Sequence, residues 1–276
     1  MSAAPGRSQA SSHRSAQGEG TLMSAAPVAS LGVTFDNGVL HLELRRADKG
    51  NALSAELVVA LTAAVQQAYA AAPRLLLISA AGKHFCTGFD LSALDQESDD
   101  SLLARFTRVE LMLQAIHAAP FPTLALGHGR VMGAGADLFC ACSERWIVGD
   151  ASFAFPGAAF GLVLGTTRLA AIAGPERARE WVESGALIDA SNALADRLAT
   201  RQLAQHEREA ALAHRIERAQ RLDAATAGGV HRAIDGVRRS RGDAGDAEDL
   251  ARLVQSAARP GLKGRISAYR ASQLRR

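Results

Sequence analysis

Two short glycine-rich stretches constrain this chain more than any other feature. One is Gly82-Lys83-His84-Phe85-Cys86-Thr87-Gly88-Phe89-Asp90-Leu91. The other, about 45 residues further on, is Gly133-Ala134-Gly135-Ala136-Asp137-Leu138. Each reads as a strand end that passes through small residues into a helix. Such a turn leaves main-chain N–H groups unpaired and able to hold a negative oxygen. Two of these turns facing each other make an oxyanion hole, which stabilises charge developing on a carbonyl oxygen. Asp137 stands three residues after Ala134 and shares its helix face, which puts a carboxylate over the activated carbonyl. The expected chemistry is acid–base transfer beside an activated acyl group.

The rest of the chain can support such a site. Its 276 residues allow one or two domains, and 48% hydrophobic residues fill a sizeable core. No apolar run reaches the roughly 18 residues of a membrane-spanning helix, so no membrane partner is expected. Cys86, Cys140 and Cys142 are an odd count without metal-ligand spacing. That pattern implies no metal and a reduced, cytoplasmic setting. Cys140 and Cys142 read as core residues. Cys86 is either an inert loop residue or a nucleophile, and the second role needs a lowered thiol pKa. No Ser-His-Asp order, zinc spacing or nucleotide-type phosphate loop is present.

Residues 1–30 stand apart. Ala, Ser, Gly and Pro dominate them without a periodic apolar face, which reads as a disordered leader. Met-Ser-Ala-Ala-Pro occurs at Met1 to Pro5 and again at Met23 to Pro27. Either Met23 is the natural start, or Arg7 and Arg14 among serines mark an organelle-targeting peptide.

From about residue 33 strand and helix signals alternate. Residues 39–45 alternate apolar and polar positions and read as a strand, and 75–79 read as a buried one. Residues 56–69 read as a helix that Ser54 can cap. An acidic loop is expected at 96–101 and a helix at 102–118. A strand follows at 123–126, then a helix at 134–142 and a short strand at 145–148. Helices dominate after Thr166. This alternation argues an α/β core, with residues 31–200 as the core and 201–276 as a C-terminal helical region.

The motifs and their order resemble the crotonase family of enoyl-CoA hydratases and isomerases. The resemblance covers roughly residues 33–276. It rests on Leu40-His41-Leu42-Glu43-Leu44-Arg45 with Lys49-Gly50-Asn51-Ala52-Leu53, then on the 85–91 loop. It continues through residues 122–138 with Gly129, Ala151-Ser152-Phe153 and Gly165-Thr166-Thr167-Arg168-Leu169. It implies a spiral of ββα units whose C-terminal helices cover the acyl pocket and build a homotrimer or dimer of trimers. It also implies an acyl-CoA thioester substrate in fatty acid metabolism. Coenzyme A then enters as part of the substrate, and no separate cofactor is expected.

By the same resemblance, the backbone N–H groups of Phe89 and Ala134 form the oxyanion hole, with Gly133 beside them. Cys86, Gly88, Asp90 and Leu91 resemble the wall that receives coenzyme A, and Lys49 matches a position near its phosphates. Asp90 is equally readable as a helix N-cap. His128 takes a position suited to a structural hydrogen bond, and His84 faces solvent or the phosphates. Either histidine can titrate near neutral pH. Glu144 reads as solvated or ion-paired.

The departures from the family matter most for function. Its hydratases flank a water with two glutamates. Asp137 stands for the first, one methylene shorter. Gly157, in Phe153-Ala154-Phe155-Pro156-Gly157, stands for the second, and the 161–166 loop carries no carboxylate. Three readings follow: a single-carboxylate hydratase/isomerase-type enzyme, a coenzyme A thioester binder with impaired catalysis, or a relative that hydrolyses thioesters or cleaves C–C bonds. Residues 201–276 carry 16 Lys and Arg against 9 Asp and Glu. This excess is a solvated helical surface or a site for coenzyme A phosphates. Without an aromatic-plus-basic motif, nucleic acid is an unlikely partner.

Overall fold

The computed structural model describes residues 28–239 and 243–273. The leader expectation falls almost wholly on residues 1–27, outside the described residues.

Seven strands form one mixed sheet: β1 (Leu31–Asp36), β2 (Val39–Leu44), β3 (Leu75–Ala80), β4 (Thr123–Met132), β5 (Glu144–Ala154), β6 (Ile188–Asp189) and β7 (Arg201–Leu203). The order is β1-β2-β3-β4-β5-β6, and β7 pairs with β5. β2 through β5 run parallel, while β1 and β6 pair antiparallel at the ends of this order. The architecture is the α/β core that the alternation of strand and helix signals implied.

Period-two alternation sorts the strand residues to two faces. Leu40, Leu42, Leu44, Leu76, Ile78, Ala125 and Ile147 enter the main core with Leu57, Leu61 and Val65 of α1 (Ala55–Ala71). Val39, Leu75, Leu77, Leu124, Leu126, Trp146 and Val148 face the other way, onto Ala211 and Ala219 of α7 (Arg208–Gln220). Burying each of these leucines contributes about 1.5–3 kcal/mol. Leu75 through Ala80 are all buried because helices cover both faces of β3.

Local signals explain the boundaries. Ser54 caps α1 as expected, its Oγ accepting from Leu57 N–H at 3.2 Å. α2 (Asp99–His117) begins three residues before the expected start, because Ser98 and Ser101 form a reciprocal capping box inside the expected loop. β4 runs six residues past its expected end. Gly127 and Gly129 weaken the strand signal, yet both fill tight places. A Cβ at Gly127 would lie 2.8 Å from the Phe139 ring, and one at Gly129 would lie 2.1 Å from Lys83 O. The β4–β5 register shifts between these glycines, a bulge that re-aims the strand end.

Beyond β5 lie α4 (Thr166–Ala173), α5 (Pro175–Ser184) and α6 (Ala190–Ala195), then α7, α8 (Ala224–Arg239), α9 (Asp243–Ala257) and α10 (Leu262–Gln273). α9 and α10 fold back onto α2. Leu253, Ala257, Leu262 and Ile266 close a third core with Leu102, Phe106 and Leu162. This brings the C-terminal helix to the edge of the site.

Candidate active site

The first glycine-rich loop is pinned by its neighbours. Thr87 N–H donates to Gly50 O at 3.0 Å, Leu53 N–H to Gly88 O at 2.8 Å, and Asp90 N–H to Leu53 O at 3.2 Å. In a planar trans peptide the N–H points opposite to the C=O. Gly88 O is turned to Leu53, so the Phe89 N–H is directed away from Leu53. Phe89 lines a cavity of about 510 Å³. Gly88 adopts φ +102°, and a Cβ there would stand 2.8 Å from Met132 O, so the turn requires glycine.

The second loop is tied to the first. Cys86 and Val131 form an isolated parallel bridge, and Met132 N–H donates to Cys86 O at 2.9 Å. Gly133, at φ +50°, donates to Ala154 O at 2.8 Å and turns the chain into α3 (Ala134–Ala141). Neither the Phe89 nor the Ala134 N–H has an acceptor among the described residues. The loops touch: a Cβ at Gly88 would lie 3.7 Å from Ala134 N. Two unpaired amides on one cavity wall, one of them opening a helix, suit an oxygen that gains negative charge.

Asp137 lies one turn into α3, is 5% exposed and lines the same cavity. No other carboxylate among the described residues does so. Burial pushes its pKa up to about 8; the Arg168 guanidinium pulls the other way and Glu110 adds to the rise. Arg168 and Glu110 form a buried two-point ion pair, with Nη1–Oε1 at 2.8 Å and Nη2–Oε2 at 2.6 Å. Gly165, at φ +66°, packs against the Asp137 carboxylate. Such a carboxyl exchanges its proton near neutral pH, as a group that takes a proton and returns it must.

The structure brings Gly88, Phe89, Leu91, Gly133, Ala134 and Asp137 to one cavity. Lys49, Cys86 and Asp90 do not line it. Lys49 is exposed at the end of a 3-10 turn (Ala47–Lys49), next to the Gly50 that accepts from Thr87. Cys86 is fully buried against Gly135, and burial pushes its thiol up to about 12. The nucleophile reading of Cys86 therefore fails, because a thiol at that pKa yields almost no thiolate.

Asp90 caps no helix. Its Oδ1 accepts from Ser92 N–H at 2.9 Å and its Oδ2 from Arg46 at 2.8 Å. Burial raises the carboxyl pKa, but these bonds outweigh it and hold Asp90 below the usual range. His84 stays partly exposed, its Nδ1 accepting from Arg130 N–H at 3.1 Å. His128 makes a structural bond to Gly82 O at 3.0 Å, and Glu144 pairs with Arg215. Gly157 lines the cavity with no side chain to offer.

Several site residues carry no signal in the sequence. Phe106, Arg130, Leu164 and Tyr269 line the cavity, and the Glu110–Arg168 pair spans 58 residues. Only the glycine of Gly165-Thr166-Thr167-Arg168 could have hinted at the close approach to Asp137.

Comparison with known proteins agrees with this geometry. Residues 39–259 match the family model described as enoyl-CoA hydratase/isomerase. A solved structure from Bordetella parapertussis, provisionally described as an enoyl-CoA hydratase/isomerase, is 39% identical with a TM-score of 0.82, covering 88% of this chain and 99% of that one. The protein echA6 of Mycobacterium tuberculosis, provisionally named an enoyl-CoA hydratase, is 33% identical over 62% of this chain and 70% of its own. A peroxisomal Delta(3,5)-Delta(2,4)-dienoyl-CoA isomerase of Arabidopsis thaliana is 31% identical over 52% of this chain and 58% of its own.

Proposed function

The chain belongs to the enoyl-CoA hydratase/isomerase family, and on that premise we propose that it binds an acyl-CoA thioester and moves a proton at the carbon α to the thioester carbonyl. The observation that carries this reading is Asp137, the one carboxylate of the described residues on a cavity that also receives the two unpaired amides. The Phe89 and Ala134 N–H groups hold the thioester oxygen as Asp137 removes the α-proton. The resulting enolate takes the same proton back at the γ-carbon, which shifts a 3-enoyl thioester to its 2-enoyl isomer. Isomerisation is favoured over hydration because Gly157 offers no second carboxylate to hold a water.

Leu91, Gly88 and the outer surface near Lys49 and Asp90 receive coenzyme A. The protein works in the cytoplasm as a homotrimer or dimer of trimers. Ile234 of α8, 64% exposed, supports a self-associating surface.

A second reading has one observation behind it. Where Gly157 faces the cavity, a bound thioester meets one carboxylate alone, and the protein then holds its ligand with little turnover. Purified protein and Asp137→Ala are given crotonyl-CoA and a 3-enoyl-CoA, with the enoyl-thioester absorbance and free thiol followed. Isomerisation lost in the variant, with ligand affinity kept, supports the proposal. No turnover by either protein, with binding intact, moves the assignment to the binder. Thiol release moves it to hydrolysis.

A further inference from the structure

We propose that Arg105 is a positioning residue that aims the Phe89 amide at the substrate carbonyl. This rests on the oxyanion role given above to that amide.

Arg105 projects from α2 and its side chain is 12% exposed. Its guanidinium is used in three directions. Nη1 pairs with Glu97, Nη2 donates to Asp90 O at 3.0 Å, and Cζ lies 4.2 Å from the centre of the Phe89 ring. Glu97 is itself fixed: bonds from the Ser101 hydroxyl and from Arg105 hold its carboxyl below the usual range. The Phe89 ring stacks on Phe106, with centroids 4.1 Å apart and planes 20° apart.

Phe89 and its successor are thus held through the peptide groups of Gly88 O and Asp90 N–H, the Asp90 side chain and the Phe89 ring, while the Phe89 N–H is left to the cavity. Leu53 holds the flanking peptides through Gly88 O and Asp90 N–H. Arg46 and Ser92 hold the Asp90 carboxylate. Arg105 and Phe106 hold the ring, and Arg105 alone joins α2 to the main chain at Asp90 among the bonds described. Arg105 does not line the cavity, so it acts through Phe89 and not on substrate. An oxyanion donor must lie about 2.7–3.1 Å from the developing charge. A misplacement near 1 Å can cost about a hundredfold in rate. A cation stacked on the ring and bonded to the next carbonyl restrains that displacement.

The test uses a ligand whose colour reports the amide directly. A p-dimethylaminocinnamoyl-CoA thioester absorbs at longer wavelength when its carbonyl is polarised by hydrogen bonds. Full-length wild type, Arg105→Gln and Arg105→Lys are titrated with it. Steady-state kinetics on the turnover substrate and melting curves run in parallel. The expected result for Arg105→Gln is affinity within about threefold of wild type, most of the red shift lost, and kcat down about tenfold or more with KM changed less. Arg105→Lys keeps a cation for Glu97 but cannot span to Asp90 O as well, and it falls between.

A purely stabilising Arg105 would lower the melting temperature and leave the red shift and kcat of the folded protein unchanged. That outcome in both variants overturns the proposal. If Arg105→Gln does not fold, Arg105→Lys decides by the same two readouts. A wild type that binds the thioester without any red shift overturns the oxyanion reading, and this inference falls with it. A wild-type shift that both variants retain overturns the inference alone.

Discussion

Gly165 faces Asp137 so closely that a Cβ at residue 165 would stand 2.1 Å from Asp137 Oδ1. The two belong to different helices, Gly165 preceding α4 and Asp137 inside α3, so this contact sets where the carboxylate rests.

Gly165→Ala is therefore expected to displace the carboxylate and to strain a backbone at φ +66°. Overpacking and the left-handed conformation together cost about 3 kcal/mol. Turnover should fall at least about tenfold with the lost alignment. Gly261→Ala is the control. Its φ is +79°, nothing lies within 4 Å of the added carbon and it does not line the cavity, so it carries a positive-φ strain without the clash. Melting curves and enoyl-CoA turnover of the two variants should separate the effects.

Asp137, with its pKa raised to about 8, makes the reaction pH-dependent. The ionised form is the base, so α-proton exchange into deuterated solvent should rise with pH and level off above about 8. Stability should move the other way. An unfolded Asp ionises near 4, so between about pH 4 and 8 the folded protein keeps a proton that the unfolded chain has lost. The contribution of this group to stability falls across that window and is constant above it. Asp137→Asn should abolish that slope in denaturant titrations taken at several pH values.

Glu110→Gln removes half of a buried ion pair and leaves Arg168 uncompensated, a loss of about 3–5 kcal/mol. Glu110 also raises the Asp137 pKa while Arg168 lowers it. The variant should thus be less stable, and its exchange profile should shift to lower pH. An unshifted profile in folded protein would mean that the pair does not act on Asp137.

Gly88→Ala tests the first loop. At φ +102° and 2.8 Å from Met132 O, a methyl group forces the loop away from the second amide. Loss of one such donor costs about 100-fold or more in kcat, while KM should change less.

Much of the fold was legible along the chain because its signals are local. Leu40, Leu42 and Leu44 alternate, Ser54 precedes its helix by one residue, and the two glycine-rich turns announce strand-to-helix junctions. Where the reading fell short, a short-range signal was masked by a tertiary one. Gly127 and Gly129 weaken strand propensity, yet β4 runs through them because the Phe139 ring and Lys83 O leave no room for a side chain. Asp90 has the look of a helix cap, but Arg46, 44 residues upstream, turns it into half of an ion pair.

The sequence by itself determined the α/β alternation, the two glycine-rich turns and the carboxylate of Asp137 beside the second. Those follow from residue type, spacing and backbone preference, which act over a few residues, whereas the parts given to Phe89, Ala134 and Gly157 came from the resemblance to the family. Only the tertiary structure decided that Cys86 is inert, that Asp137 holds its proton to about pH 8, and that Arg105 lies over Phe89. Each of these depends on desolvation or on a charge brought close from a distant part of the chain. Such forces are set by distance in space, which spacing along the sequence does not encode.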